Sequence, residues 1–150
     1  MTHWALKYIG KPWICGKYDC WGLVREVYFN ELGIELSPII TNALDIRQVF
    51  CEFAKTTNYS SFQQISELKN NAIVVLSQGK YPSHVGIWID VDGGGILHNQ
   101  RNIGVIFQKK TELNSLGWKI TGIWEVRTDY ANSKDTKSFQ PRQKRGFLLL

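Results

Sequence analysis

No segment of this sequence runs for the ~18 apolar residues that a membrane-crossing helix needs. Its start, MTHWALKYIGKPW, also lacks the basic region and the apolar run of about 7 to 15 residues that mark a secretory signal. These two absences predict a protein made soluble in the cytoplasm, which would need another route to leave it. Cysteine is scarce. Cys15, Cys20 and Cys51 are too few and too odd in number for a disulfide framework, and no CxxC pair announces a metal. At least one thiol is expected to be free. Most of the chain also lacks an excess of either charge: residues 1–132 carry 13 Lys+Arg against 12 Asp+Glu, whereas residues 133–150 carry five against one. The net charge of +5 therefore belongs to the C-terminal end, and the body has no electrostatic footprint for nucleic acid.

What is present is a chain of 150 residues with 43% hydrophobic content, enough for one core and too short for two comfortable ones. HWALKYIG reads as a short helix ending at Gly10, because Pro12 forbids continuation. In DCWGLVREVYFNELG, Leu23, Val24, Val27, Tyr28 and Leu32 recur at helical spacing, Asp19 is a good N-cap and Gly33 a good stop. That spacing puts Cys20 at the first helical position. A third helix fits NALDIRQVFCEFAK, capped by Asn42, with Ile46, Val49, Phe50 and Phe53 as its stripe and Cys51 beside it. After residue 70 the pattern changes to strands: AIVVLS, HVGIWIDV, GILHNQ, GVIFQKK and ITGIWEVR, with Asp92-Gly93 as a hairpin signal. Helices followed by an antiparallel meander of about five strands predict an α+β fold over residues 1–130. Residues 131–150 are polar and basic until FLLL, and are expected to form a flexible tail.

A thiol at the first position of a helix meets the positive end of the helix dipole and backbone N–H groups without intrahelical partners. Such a site favours thiolate and can receive a developing oxyanion, so the missing part is a base. Of the three histidines, His3 lies near the terminus, whereas His84 opens one strand and His98 lies on the next. On neighbouring antiparallel strands, two imidazoles can share a face, one orienting the other. Taken singly, a lone cysteine is usually a small buried hydrophobe and a strand histidine usually structural; the three together carry the argument. A zinc site from Cys15, Cys20, His84 and His98 is the next alternative, but Cys-x4-Cys before a helix and His-x13-His across a hairpin match no common ligand spacing.

The segments YIGKPWICGKYDCWGLVREVYFNELGIEL, PSHVGIWID, ILHNQRNIGV and ITGIWEV resemble the NlpC branch of papain-like cell-wall peptidases, and in particular the versions found in phage tail-tip proteins. The resemblance spans most of residues 4 to 127. It implies a papain-like NlpC fold, with Cys20 as nucleophile, His84 as general base and His98 as orienting group, and with no metal and no cofactor. It implies peptidoglycan stem peptides as substrate, cut between D-glutamate and a diamino acid, other tail or carrier proteins as partners, and a place in the virion tail acting on the periplasmic wall. The wall-acting members read Asp-Cys-Ser-Gly with an upstream Pro-Tyr; here the matching positions are Asp19, Cys20, Trp21, Gly22 and Pro12-Trp13. Asp19, Trp13 and Trp21 are thereby the implied substrate contacts, although Trp13 lacks the tyrosine hydroxyl and Trp21 replaces a small polar side chain. Two other readings are a secreted toxin or effector of the same fold, and a catalytically silent tail-assembly or binding module.

Overall fold

The computed structural model describes residues 3–36, 38, 62–78 and 82–126. The helix expected around Cys51, residues 42–55, and the tail expected over 131–150 lie outside the described residues, as does the boundary drawn at 130.

Six antiparallel strands form one sheet: β1 (Phe62–Gln64), β2 (Ile73–Ser77), β3 (Pro82–Ile89), β4 (Gly95–Gln100), β5 (Gly104–Lys109) and β6 (Lys119–Val126), in the order β1-β6-β2-β3-β4-β5. The helix α1 (Cys20–Leu32) lies on one face, and a short helix, α2 (Lys110–Ser115), leads from β5 towards β6. The fold is thus α+β, with six strands where the sequence predicts about five. The additional one, β1, has three residues, of which only Phe62 is buried, so it carries no alternation to read; it adds to the sheet by pairing with β6. Two other expectations need correction. The segment 3–10 forms a single 3-10 turn over Trp4–Lys7, because the His3 imidazole accepts the Ala5 N–H and closes a tight turn. The end of the GVIFQKK segment turns into α2, whose first turn is fixed by Glu112 accepting the N–H of Lys109.

The helix α1 begins and ends where its caps dictate. Asp19 Oδ1 accepts the N–H of Gly22 at 2.8 Å, and Gly33 takes φ 69°, a left-handed conformation that glycine adopts without the Cβ clash other residues meet. The apolar stripe of α1, Leu23, Val24, Val27 and Tyr28, packs with Ile73, Val75, Val85, Ile87 and Leu97 from the sheet. On the opposite face, Val74, Leu76, Trp88 and Ile96 pack with Leu113 and Trp118. Each fully buried Leu or Ile contributes about 1.5–3 kcal/mol relative to exposure, so both faces are firmly held. The N-terminal segment is tied to α1 by the Tyr8 hydroxyl donating to Glu31 (2.8 Å) and by the Lys11–Glu26 ion pair (2.9 Å).

One irregularity in the sheet prepares the site. The ladder between β3 and β4 covers only Ile87↔Leu97, Trp88↔Ile96 and Ile89↔Gly95 and then stops, although both strands run on. Where they part, the start of α1 is inserted: Asn99 of β4 donates to the carbonyls of Tyr18 (2.9 Å) and Asp19 (3.4 Å). Gly86 lies at the fork. A Cβ there would meet Ile96 Cγ2 at 2.6 Å, the Leu97 carbonyl oxygen at 2.9 Å and His98 Cβ at 3.0 Å, so only glycine lets β3 come this close to β4.

Candidate functional site

Cys20 is the first residue of α1, as its spacing from Asp19 predicts, and is half-buried. Its thiol is reached by the backbone N–H groups of Val85, Trp21 and Cys20 itself. Since Val85 follows His84, the sulfur sits beside the opening of β3. Burial and, to a lesser extent, the neighbouring Asp19 carboxylate push the thiol up to about 12, and the three N–H groups oppose the rise without cancelling it. A helix start by itself favours the thiolate, and here desolvation acts against it.

His84 and His98 are both buried, at 7% and 0% exposure. His84 Nε2 lies 2.8 Å from His98 Nδ1, and the rings meet edge to face with centroids 4.9 Å apart. His98 Nε2 in turn lies 2.8 Å from the side-chain oxygen Oε1 of Gln108 on β5. The second face of His84 is covered by Trp118, stacked at a centroid distance of 5.1 Å. Burial lowers His84 well below the usual imidazole range, helped by His98; burial lowers His98 too, with the Gln108 bond acting in the other direction. Burial thus favours the neutral form of both imidazoles and the protonated form of the thiol.

Of the six residues implied by the sequence, the structure places Asp19, Cys20, His84 and His98 around the fork between β3 and β4. Trp21 goes elsewhere. Its ring is buried in the core at 7% exposure, edge to face with Phe62, so the side chain is a packing element and its presence at the site is its backbone N–H. Trp13 stays in the loop before α1, half-buried, with the Arg101 guanidinium 5.7 Å from its ring centroid. Cys15 is exposed in the turn closed by the Ile14↔Tyr18 bridge, and both described cysteines are free thiols. Among the described residues no cluster of three or more His, Cys, Asp or Glu is placed to hold a metal, and no helix is long and apolar enough to cross a membrane.

Three residues escaped the sequence reading: Gln108, Trp118 and Asn99. The signal for Gln108 was present in the tight turn at 101–103, which sets Ile96 opposite Gln108 and His98 opposite Ile106. Diagonal neighbours share a face, so Gln108 belongs beside His98. Trp118 follows α2 and carried no sequence signal. Two buried polar atoms here have no hydrogen-bond partner among the described residues, Asn99 Oδ1 and the Trp118 indole N–H.

The family model of the NlpC/P60 family matches residues 8–133. No curated protein matches the chain.

Proposed function

Because the chain belongs to the NlpC/P60 family, a family of cysteine peptidases that act on the cell wall, we propose that it is an endopeptidase of peptidoglycan stem peptides that cuts between D-glutamate and a diamino acid. Cys20 is the nucleophile, His84 the general base and His98 the group that orients it. The observation that most supports these roles is a thiol at a helix start reached by the N–H of Val85, the residue after a buried imidazole that has a second imidazole 2.8 Å from it.

In this reading Cys20 Sγ attacks the scissile carbonyl carbon while its proton passes to His84. The carbonyl oxygen gains charge beside backbone N–H groups at the start of α1, donors of the kind that stabilise an oxyanion. The His84 imidazolium then gives its proton to the departing amine, leaving a thioester. Water, deprotonated by His84, attacks the thioester; the carboxylic product leaves and the thiol is restored. Asp19, at the mouth of the helix, is the proposed partner for the free amine of the stem peptide, with Trp13 on the same approach.

Digestion of purified sacculi, with mass analysis of the released muropeptides, tests the reading. Products ending in D-glutamate, absent with Cys20→Ala, are expected; no release by the intact protein would overturn it. The likeness of VREVYFNELGIEL to the tail-tip version favours a phage tail as carrier, in which case the protein is expected among the structural proteins of purified virions and not among secreted ones.

A further inference from the structure

His98 can orient His84 usefully in only one of its two neutral forms. Its Nδ1 faces His84 and its Nε2 faces Gln108, so whichever nitrogen carries the proton decides the direction of both hydrogen bonds. Suppose the proton were on Nδ1. His98 would then donate to His84 Nε2, forcing the His84 proton onto Nδ1, and the base would present no lone pair to the thiol. With the proton on Nε2 the order reverses: His98 accepts from the His84 Nε2–H, and Nδ1 of His84 is left as the proton acceptor. The second arrangement needs an acceptor beyond His98, and that acceptor is the Gln108 side-chain oxygen at 2.8 Å.

We propose that Gln108 is a positioning residue of the reaction: through its amide oxygen it holds the proton of His98 on Nε2 and thereby keeps the free lone pair of His84 on Nδ1, the nitrogen that His98 leaves for proton transfer from Cys20. The proposal rests on the reading of His84 as the base but not on the identity of the substrate. An amide suits this position. Turned over, Gln108 would present its NH2 to His98 and select the inert arrangement, so its orientation matters as much as its presence. The frame around it is rigid. Gln108 lies at the end of β5, paired with Ile96 of β4, and α2 starts two residues later with the Lys109 N–H fixed on Glu112. A carboxylate would also accept from His98, but its charge would favour imidazolium, whereas a neutral acceptor sets the tautomer and leaves the ring uncharged.

The test uses the full chain carrying Cys15→Ser, with Gln108→Leu and Gln108→Glu compared against it. Three readouts apply: nitrogen NMR of the imidazoles, which separates the two tautomers; the pH profile of Cys20 alkylation by iodoacetamide, located by mass mapping; and kcat and KM on a muropeptide. With Gln108 present, His98 is expected to be protonated on Nε2. Gln108→Leu should mix the tautomers, slow Cys20 alkylation, and lower kcat by about 10–100-fold, the range found for outer partners of metal-bound imidazoles, with KM little changed. Gln108→Glu should restore the Nε2–H form and most of the kcat, and move the acidic limb of the profile to higher pH. His98 protonated on Nδ1 in the Gln108 protein, or an alkylation profile and tautomer that do not change in Gln108→Leu, would overturn the proposal. If Gln108→Leu fails to fold, the tautomer of the Gln108 protein and the response to Gln108→Glu still decide. A shift in tautomer and alkylation without any muropeptide cleavage would sustain the role of Gln108 and refute the substrate assignment instead.

Discussion

Cys20 is held by backbone groups, those of the Asp19-capped start of its helix and the Val85 N–H of β3, whereas His84 and His98 are held by side chains, through two hydrogen bonds and the Trp118 stack. The first arrangement is backbone-built, so little depends on the thiol itself. The second is non-local and side-chain-built, so each member supports its neighbours. Substitutions should therefore separate activity from stability on the helix side and couple them on the strand side.

The largest contrast is expected between Cys20→Ala and His84→Ala. Both should reduce wall hydrolysis by ~10⁴-fold or more, and the double variant should be no worse than either, because members of one catalytic unit are not additive. Stability should divide them. Cys20→Ala is expected to change the unfolding free energy by less than about 1 kcal/mol. His84→Ala leaves His98 Nδ1 buried without its partner and should cost about 1–3 kcal/mol. Denaturant unfolding of the three variants checks this, and equal stability for both single variants would break the contrast.

The same contrast explains what was legible beforehand. The start of α1 follows from Asp19, Cys20 and the stripe through Tyr28, all within a few turns of one another, so capping and helical period suffice to place the thiol. His84 and His98 could be put on adjacent strands by the hairpin signal at Asp92-Gly93. The same register, continued, sets Gly86 opposite His98 and makes His84 its diagonal neighbour, but the parting of the strands after Ile87↔Leu97 has no local signal. Gln108 needed a register, and Trp118 needed the unpredicted α2 to carry it over the sheet. Trp21 misled for a related reason: its place in the motif suggests the pocket, while its place on the helix turns the ring into the core. Desolvation of the thiol has no sequence signal either, because it depends on what packs over the helix start.

Mild acid should act on the strand side. Burial holds both histidines below their unfolded values near 6.5, so the unfolded chain binds more protons once pH drops below that point. Their contribution to stability is complete above about pH 6.5 and falls as pH descends from there towards the folded values. Stability is therefore expected to fall between pH 7 and 5.5. Glu125, held low by Lys69 and Gln63, loses its contribution only at more acidic pH. Denaturation curves at the two pH values are expected to differ less in His84→Ala; an equal difference would assign the effect to other groups.

Glycines on the two sides give the next comparison. Gly86→Ala forces a Cβ to within 2.6 Å of Ile96 and 2.9 Å of the Leu97 carbonyl, at the fork itself. It should cost about 1–3 kcal/mol and lower kcat by displacing His98. In Gly22→Ala the nearest neighbours of the new Cβ lie at 3.3 Å and 3.4 Å, a tight fit that the gain in helix propensity offsets. Its stability should stay within about 0.5 kcal/mol of the parent. Matched melting curves would show whether the helix side tolerates what the strand side does not.

The smallest effect is expected from Cys15→Ser. Cys15 is exposed and five positions before Cys20, so an oxidising environment offers a disulfide that would silence the nucleophile. The structure opposes it. Residues 14 to 18 form a turn closed by the Tyr18 N–H donating to the Ile14 carbonyl at 2.8 Å and the Ile14 N–H donating to the Tyr18 carbonyl at 2.8 Å, while the Asn99 amide fixes the Tyr18 and Asp19 carbonyls from the other side. Drawing the Cys20 sulfur towards Cys15 would also remove it from the N–H groups of Val85 and Trp21. Hydrolysis should therefore be the same with and without reductant, and Cys15→Ser should match the parent in both. Loss of activity on oxidation that Cys15→Ser prevents would show that the turn opens, and that the backbone-built half of the site is the more mobile of the two.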